Sequence, residues 1–107
     1  MNWTITFVND TAEAEVDSLP SDMRAAFARI AMLIAEFGLE HVGMPYVRPV
    51  QGKLWEIRLK GRDGIARSLY VTASGRRVVI LRTFVKKTQK TPTAEIKLAL
   101  QRTKEVE

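Results

Sequence analysis

The sequence predicts an α+β domain of two layers, helices packed on an antiparallel sheet. Three observations carry that expectation. Strand-like runs at Leu54–Lys60, Ile65–Thr72 and Arg77–Lys86 are rich in β-branched, aliphatic or aromatic residues. They break at Gly61-Arg62-Asp63-Gly64 and Ser74-Gly75, where hairpin turns need residues that tolerate positive φ. An apolar stripe at helical spacing runs through Met23, Phe27, Ile30, Ala31, Ile34 and Phe37. Finally, Asn2–Val8 alternates Trp3, Ile5 and Phe7 with Asn2, Thr4 and Thr6, the period of a strand.

The elements follow in order. After the opening strand, Asp10 fits a helix N-cap with Glu13 three residues on, and Ala12, Val16 and Leu19 share one face. Pro20 interrupts, Ser21 is suited to cap a second helix, and Gly38 is suited to end it. Between Leu39 and Gly52 the pattern dissolves into a linker holding Gly43, Pro45, Pro49 and Gly52. The three-stranded meander comes next. Thr91 then reads as the N-cap of a last helix, with Pro92 at its first position, Glu95 in its first turn, and Ile96, Ala99 and Leu100 on one face. The expected order is β-α-α-β-β-β-α, in one domain spanning 1–107, with helices on one side of the sheet and the other face open.

Alternation assigns the strand faces. Trp55, Ile57 and Leu59 point one way, and Glu56, Arg58 and Lys60 the other. Arg82, Phe84 and Lys86 share a face, opposite Val79, Leu81, Thr83 and Val85. Arg67 falls on the same side as Ile65, Leu69 and Val71, as in a central strand buried on both faces with a single cation set into it. Such a charge needs a partner.

Composition excludes several chemistries. With no cysteine there is no disulfide framework, thiolate metal site or thiol nucleophile, and with His41 alone there is no His-His metal site or histidine acid–base pair. No cofactor motif is present, and GRDG is a turn rather than a phosphate loop. No apolar run reaches the length of a membrane span, so a cytoplasmic protein without membrane contact is expected. The net charge of +5 is unevenly spread: residues 1–50 hold 3 Lys+Arg and 7 Asp+Glu, residues 51–107 hold 14 and 5. A basic side built by the sheet and the carboxy-terminal segment is the electrostatic footprint of a polyanion partner.

The segments LWEIRL (54–59), RSLY (67–70), VVILRTFVKKT (78–88) and TPTAEI (91–96) resemble the HigB-like branch of the RelE/ParE toxin superfamily, FVKKTQKTP (84–92) being the most specific string. The resemblance covers almost the whole chain. It implies a RelE/ParE-like fold and the toxin of a type II toxin–antitoxin pair, a metal-independent, ribosome-dependent endoribonuclease that cleaves mRNA and inhibits translation. It also implies a cognate antitoxin, a HigA-like helix-turn-helix protein through which alone operator DNA would be reached.

By the same resemblance the catalytic candidates are Arg67 for phosphate stabilisation, Arg58 for orientation, and Lys86 or Lys87 for phosphate contact or acid function. Arginine's fixed fork suits phosphate but makes a poor base. Glu56 is acidic where RelE-type relatives carry a lysine: it is either the base or a salt-bridge partner that orients Arg58 or Arg67. RNA-contact candidates are Lys53, Lys60, Arg82, Phe84, Thr88 and Lys90, and no metal ligand is expected. Two other readings stand beside this one: a ParE-like gyrase poison, and a non-enzymatic nucleic-acid-binding module.

Overall fold

The computed structural model describes residues 2–86 and 90–107. The chain forms β1 (Thr4–Phe7), α1 (Asp10–Asp17), α2 (Ser21–Phe37), β2 (Val47–Gln51), β3 (Leu54–Gly61), β4 (Gly64–Ala73), β5 (Arg77–Lys86) and α3 (Thr93–Arg102). The five strands make one sheet in the order β1-β5-β4-β3-β2. The α+β class and the glycine-turned meander are as the sequence predicts. Among the described residues, no helix is long and apolar enough to cross a membrane.

Three features of the architecture correct the expectation. The 39–52 stretch, expected to be a linker, contributes β2, antiparallel to β3. Its Pro49 is tolerated because β2 is the edge strand, where a missing N–H costs no ladder bond. The sheet is mixed rather than antiparallel, since β1 runs parallel to β5, Thr4 opposite Arg77 and Phe7 opposite Ile80. And the second face is not open: α3 lies on it.

The helix-side core is built by α1 and α2. Val16, Leu19, Met23, Ala26, Phe27, Ile30 and Ile34 pack on Ile57, Leu59, Ala66, Tyr70, Val78 and Ile80, with Trp3, Ile5 and Phe7 against them. The rings of Phe7 and Phe27 stack at 6.0 Å. Side chains the size of Ile30 and Ile34, fully buried, each contribute about 1.5–3 kcal/mol. Close approach of α2 to the end of β3 requires Gly61, where a Cβ would stand 2.7 Å from Met23 Cγ. The last residue of the stripe, Phe37, is left 56% exposed.

Helix starts differ from expectation in detail. Asn9, not Asp10, caps α1, its Oδ1 accepting from the Ala12 N–H at 2.8 Å. Asp10 instead sits in the first turn, where the dipole favours its charge. α2 and α3 start after Pro20 and Pro92 with no side-chain cap, so neither Ser21 nor Thr91 has the capping role.

On the opposite face, Leu54, Leu69, Val79, Leu81, Phe84 and Ala99 form a second core, with Ile96 and Val106 of the carboxy-terminal segment packed on it. A bulge creates it. Leu69 faces Arg82 and Tyr70 faces Ile80, so Leu81 is extra and the alternation of β5 shifts by one. Val79 and Leu81 therefore join Phe84 instead of opposing it. Thr83 turns to the helix side, where its hydroxyl lies 2.8 Å from that of Ser68. The β4 run Ala66–Tyr70 is buried throughout, as expected of a central strand covered on both faces.

Candidate nucleic-acid interface

The antiparallel register of β3 and β4 sets Arg58 directly opposite Arg67 and Glu56 opposite Leu69. The two arginines share a face but have different surroundings. Arg67 is 1% exposed, and so is Glu56, whose Oε2 lies 3.3 Å from Arg67 Nη1. Thr91 joins the two: its hydroxyl donates to Glu56 Oε1 at 2.7 Å and accepts from Arg67 Nη1 at 3.1 Å. Arg48 reaches over from β2, Nε 3.8 Å from Glu56 Oε2. Burial first, then repulsion from Arg58 and Arg48, holds Arg67 below the ordinary arginine value, while Glu56 opposes that shift. An arginine so placed remains charged.

A small cavity of about 190 Å³ opens beside this cluster, lined by Arg48, Glu56, Arg67, Lys90, Thr91 and Ile96 among others. Both Glu56 oxygens accept hydrogen bonds. Glu56 is thus an ion-pair partner of Arg67, and both of its carboxylate oxygens are engaged.

Arg58 is only partly buried, and its Nε is enclosed without a hydrogen-bond partner among the described residues. It lies on β3 where β2 stops, and its backbone N–H donates to the Tyr46 carbonyl at 2.8 Å. There the sheet edge, α2 and the loop before β2 enclose a cavity of about 400 Å³ lined by Ala26, Arg29, Ile30, Pro45, Tyr46, Arg58, Lys60 and Ile65. Three cations and one exposed aromatic ring line it, with no carboxylate. Concave, basic and uncompensated, it suits a phosphodiester with a base against Tyr46.

The remaining sequence candidates are dispersed. Arg82 is not an exposed cation on an open face. It forks onto Glu95, Nε to Oε1 at 2.8 Å and Nη2 to Oε2 at 3.3 Å, and its Nη1 meets Glu15 Oε2 at 2.7 Å. Arg102 Nη1 holds Glu15 Oε1 at 2.9 Å. This network ties α1, β5 and α3 together and neutralises Arg82 within the fold. Burial alone would raise Glu15, but hydrogen bonds from Arg102, the Thr83 N–H and Arg82 outweigh it and hold the carboxyl below its ordinary value. Phe84 is buried in the second core and presents no free ring face. Lys53 is exposed in the turn between β2 and β3, Lys90 is exposed beside Thr91, and Lys86 is half-buried at the end of β5. Lys87 and Thr88 lie outside the described residues.

Sequence reasoning missed Arg29, Tyr46, Arg48 and the bridging hydroxyl of Thr91. Arg29 alone carried a legible signal, beside Ile30 on the border of the α2 stripe. The others reach their places through β2 and the turn into α3, which no local pattern specifies. Among the described residues, no group of three or more His, Asp or Glu stands where it would hold a metal.

Comparison with known proteins bears on the fold and the family. A solved structure of E. coli toxin RelE, a double arginine-to-alanine mutant in the free state, superposes with a TM-score of 0.59 at 17% identity, covering 95% of this chain and 98% of that one. At that identity the likeness shows a shared fold. No protein of curated function matches. The family described as Phage derived protein Gp49-like (DUF891) matches residues 14–104. With the RelE architecture around it and most of its length inside that match, the chain belongs to the Gp49-like family of phage-derived proteins.

Proposed function

We propose that this chain is a single-domain toxin of a type II toxin–antitoxin pair, a ribosome-dependent endoribonuclease that cleaves mRNA in the cytoplasm and is held inactive by a cognate antitoxin. The observation that carries the reading is the basic cavity at the β3 edge, where Arg29, Arg58 and Lys60 converge with Tyr46 and no carboxylate. The RelE fold and the Gp49-like family support it. The HigB-like resemblance of the 84–92 string adds a HigA-like helix-turn-helix protein as the antitoxin, with operator DNA engaged only through that complex.

In this reading an RNA 2′-oxygen attacks the adjacent phosphorus, the P–O5′ bond breaks, and a 2′,3′-cyclic phosphate and a 5′-hydroxyl result. Arg58, with Lys60 and Arg29, binds the phosphate and stabilises charge developing on its oxygens. Arg67 lies beneath, fixed by Glu56 and Thr91, and adds its positive field to that of Arg58 across the strand pair. Lys86, at the end of β5, or Lys87 protonates the leaving 5′-oxygen. Among the described residues the cavity lining holds no carboxylate or histidine, so in this reading the 2′-proton passes to a group supplied by the ribosome.

Primer extension on a reporter mRNA in a translating extract tests this, with ribosomes present or removed. Cuts should need ribosomes, and Arg58→Ala should weaken them about 100–1,000-fold. Cuts that persist in Arg58→Ala would remove this cavity from the mechanism. Intact mRNA together with stalled supercoiling would assign a gyrase poison instead.

A further inference from the structure

The helix-side face of the sheet runs on past the helix that covers it. α2 ends at Phe37, and beyond it the far end of the sheet, carrying Trp3, Trp55, Tyr70 and Thr72, is roofed by the 39–43 segment. A cavity of about 730 Å³ lies between them, with Lys53 and Glu40 also in its lining. Its volume falls in the range of roughly 300–1,000 Å³ usual for small-molecule sites.

Two features of the walls are not explained by folding. Trp55 stands opposite Tyr70 on the core side of β3, yet it is 39% exposed, a large aromatic surface left uncovered beside the cavity. The Nε1–H of Trp3, lining the same cavity, is buried and has no hydrogen-bond partner among the described residues. A buried donor left unmade is costly, and most such groups in folded proteins are satisfied.

We propose that this cavity is a nucleobase subsite for the RNA, a proposal that rests on the RNA-cleaving reading given above. A flat heteroaromatic ring covers the exposed Trp55 face, and every nucleobase carries an acceptor for the indole N–H of Trp3. Glu40 suits an exocyclic amino group, and Lys53 suits the attached phosphate. An aliphatic side chain of a protein partner would use only the aromatic walls. Lys53 lies in the turn joining β2 to β3, in the lining of the same cavity.

The test is a two-dimensional 1H–15N NMR titration of the intact protein with adenosine monophosphate, adenosine, inorganic phosphate and a leucine-rich amphipathic peptide, read at the two tryptophan indole signals. The nucleotide and the nucleoside should both shift the Trp3 indole signal, identified by its loss in Trp3→Phe, while phosphate leaves it in place. Trp55→Ala should weaken nucleotide binding at least tenfold. Trp3→Phe, which keeps a ring and loses the N–H, should weaken it about fivefold and provides the second variant if Trp55→Ala does not fold. Unmoved indole signals with the nucleotide, equal shifts with phosphate alone, or shifts with the peptide and not with adenosine would each overturn the proposal. No ribosome is involved, so the two readings fail separately: mRNA cleavage with unmoved indoles overturns the subsite alone, and nucleotide binding without cleavage overturns the nuclease alone.

Discussion

Arg67 Nη1 and Glu56 Oε2 face each other at 3.3 Å with both side chains 1% exposed, a buried ion pair in the middle of the sheet. Read from sequence, Arg67 is a cation set into an apolar strand that needs a partner, with Glu56 one candidate. The pairing ties both residues to the fold, because a deleted partner leaves the other charge buried and uncompensated.

Glu56→Ala is expected to destabilise the protein by about 3–5 kcal/mol in urea unfolding. The double variant Glu56→Leu/Arg67→Met, which removes both charges, should regain at least half of that. A loss in the double variant equal to the sum of the two single-variant losses would mean the two charges are not coupled. For the same reason, activity lost in Arg67→Ala is informative only beside a measured fold.

Thr91→Val keeps the shape of the side chain and removes the hydroxyl that bridges Glu56 and Arg67. A loss of about 1–2 kcal/mol in the same unfolding experiment is expected. An unchanged midpoint would show that the bridge contributes nothing to stability.

Salt dependence separates RNA-facing cations from internal ones. Alanine at Arg29, Arg58 or Lys60 should each reduce the slope of log affinity for RNA against log salt by about 1. Arg82→Ala should leave the slope alone and lower the melting temperature, since Arg82 is engaged by Glu15 and Glu95. A slope that falls with Arg82→Ala would place that residue on the RNA after all.

Acid titration tests the Glu15 network. Its carboxyl is held below the ordinary glutamate value of 4.5 in the folded protein, so the stability it contributes is fully present above that value and lost as pH falls through the lowered one. Asp22, lowered chiefly by a hydrogen bond from the Arg62 N–H, acts in the same direction from its ordinary value of 3.8. Urea unfolding between pH 5 and 2 should show stability declining with acid, and Glu15→Gln should flatten the decline, Asp22 supplying a remainder. An unflattened curve would assign the acid sensitivity elsewhere.

Much of this molecule is written in local patterns. The α2 stripe and the alternation of β1, β3 and β4 place the helix-side core nearly residue for residue, because each of those faces meets one continuous neighbour. The second core was not legible, since it depends on one unpaired residue, Leu81, that resets the parity of β5 midway. The site divides in the same way. The opposition of Arg58 and Arg67 follows from hairpin register, whereas Arg29, Arg48 and Thr91 arrive from elements whose docking is tertiary. Arg82 shows the limit of charge counting: a cation on a strand face can be consumed by acids from two helices, one of them at the other end of the chain.

The parallel pairing of β1 with β5 has a consequence for synthesis. Thr6 and Val78 are neighbours in the sheet but 72 residues apart in the chain. Until β5 has left the ribosome, β1 has no strand to join, and the apolar side of α2 has only the β3 and β4 part of its floor. Such long-range closure is slow compared with local hairpin formation, and it leaves apolar surface open in the meantime. The nascent chain is therefore unable to act as the folded protein until its last strand is made, and during that interval it offers apolar segments to whatever binds unfolded chains.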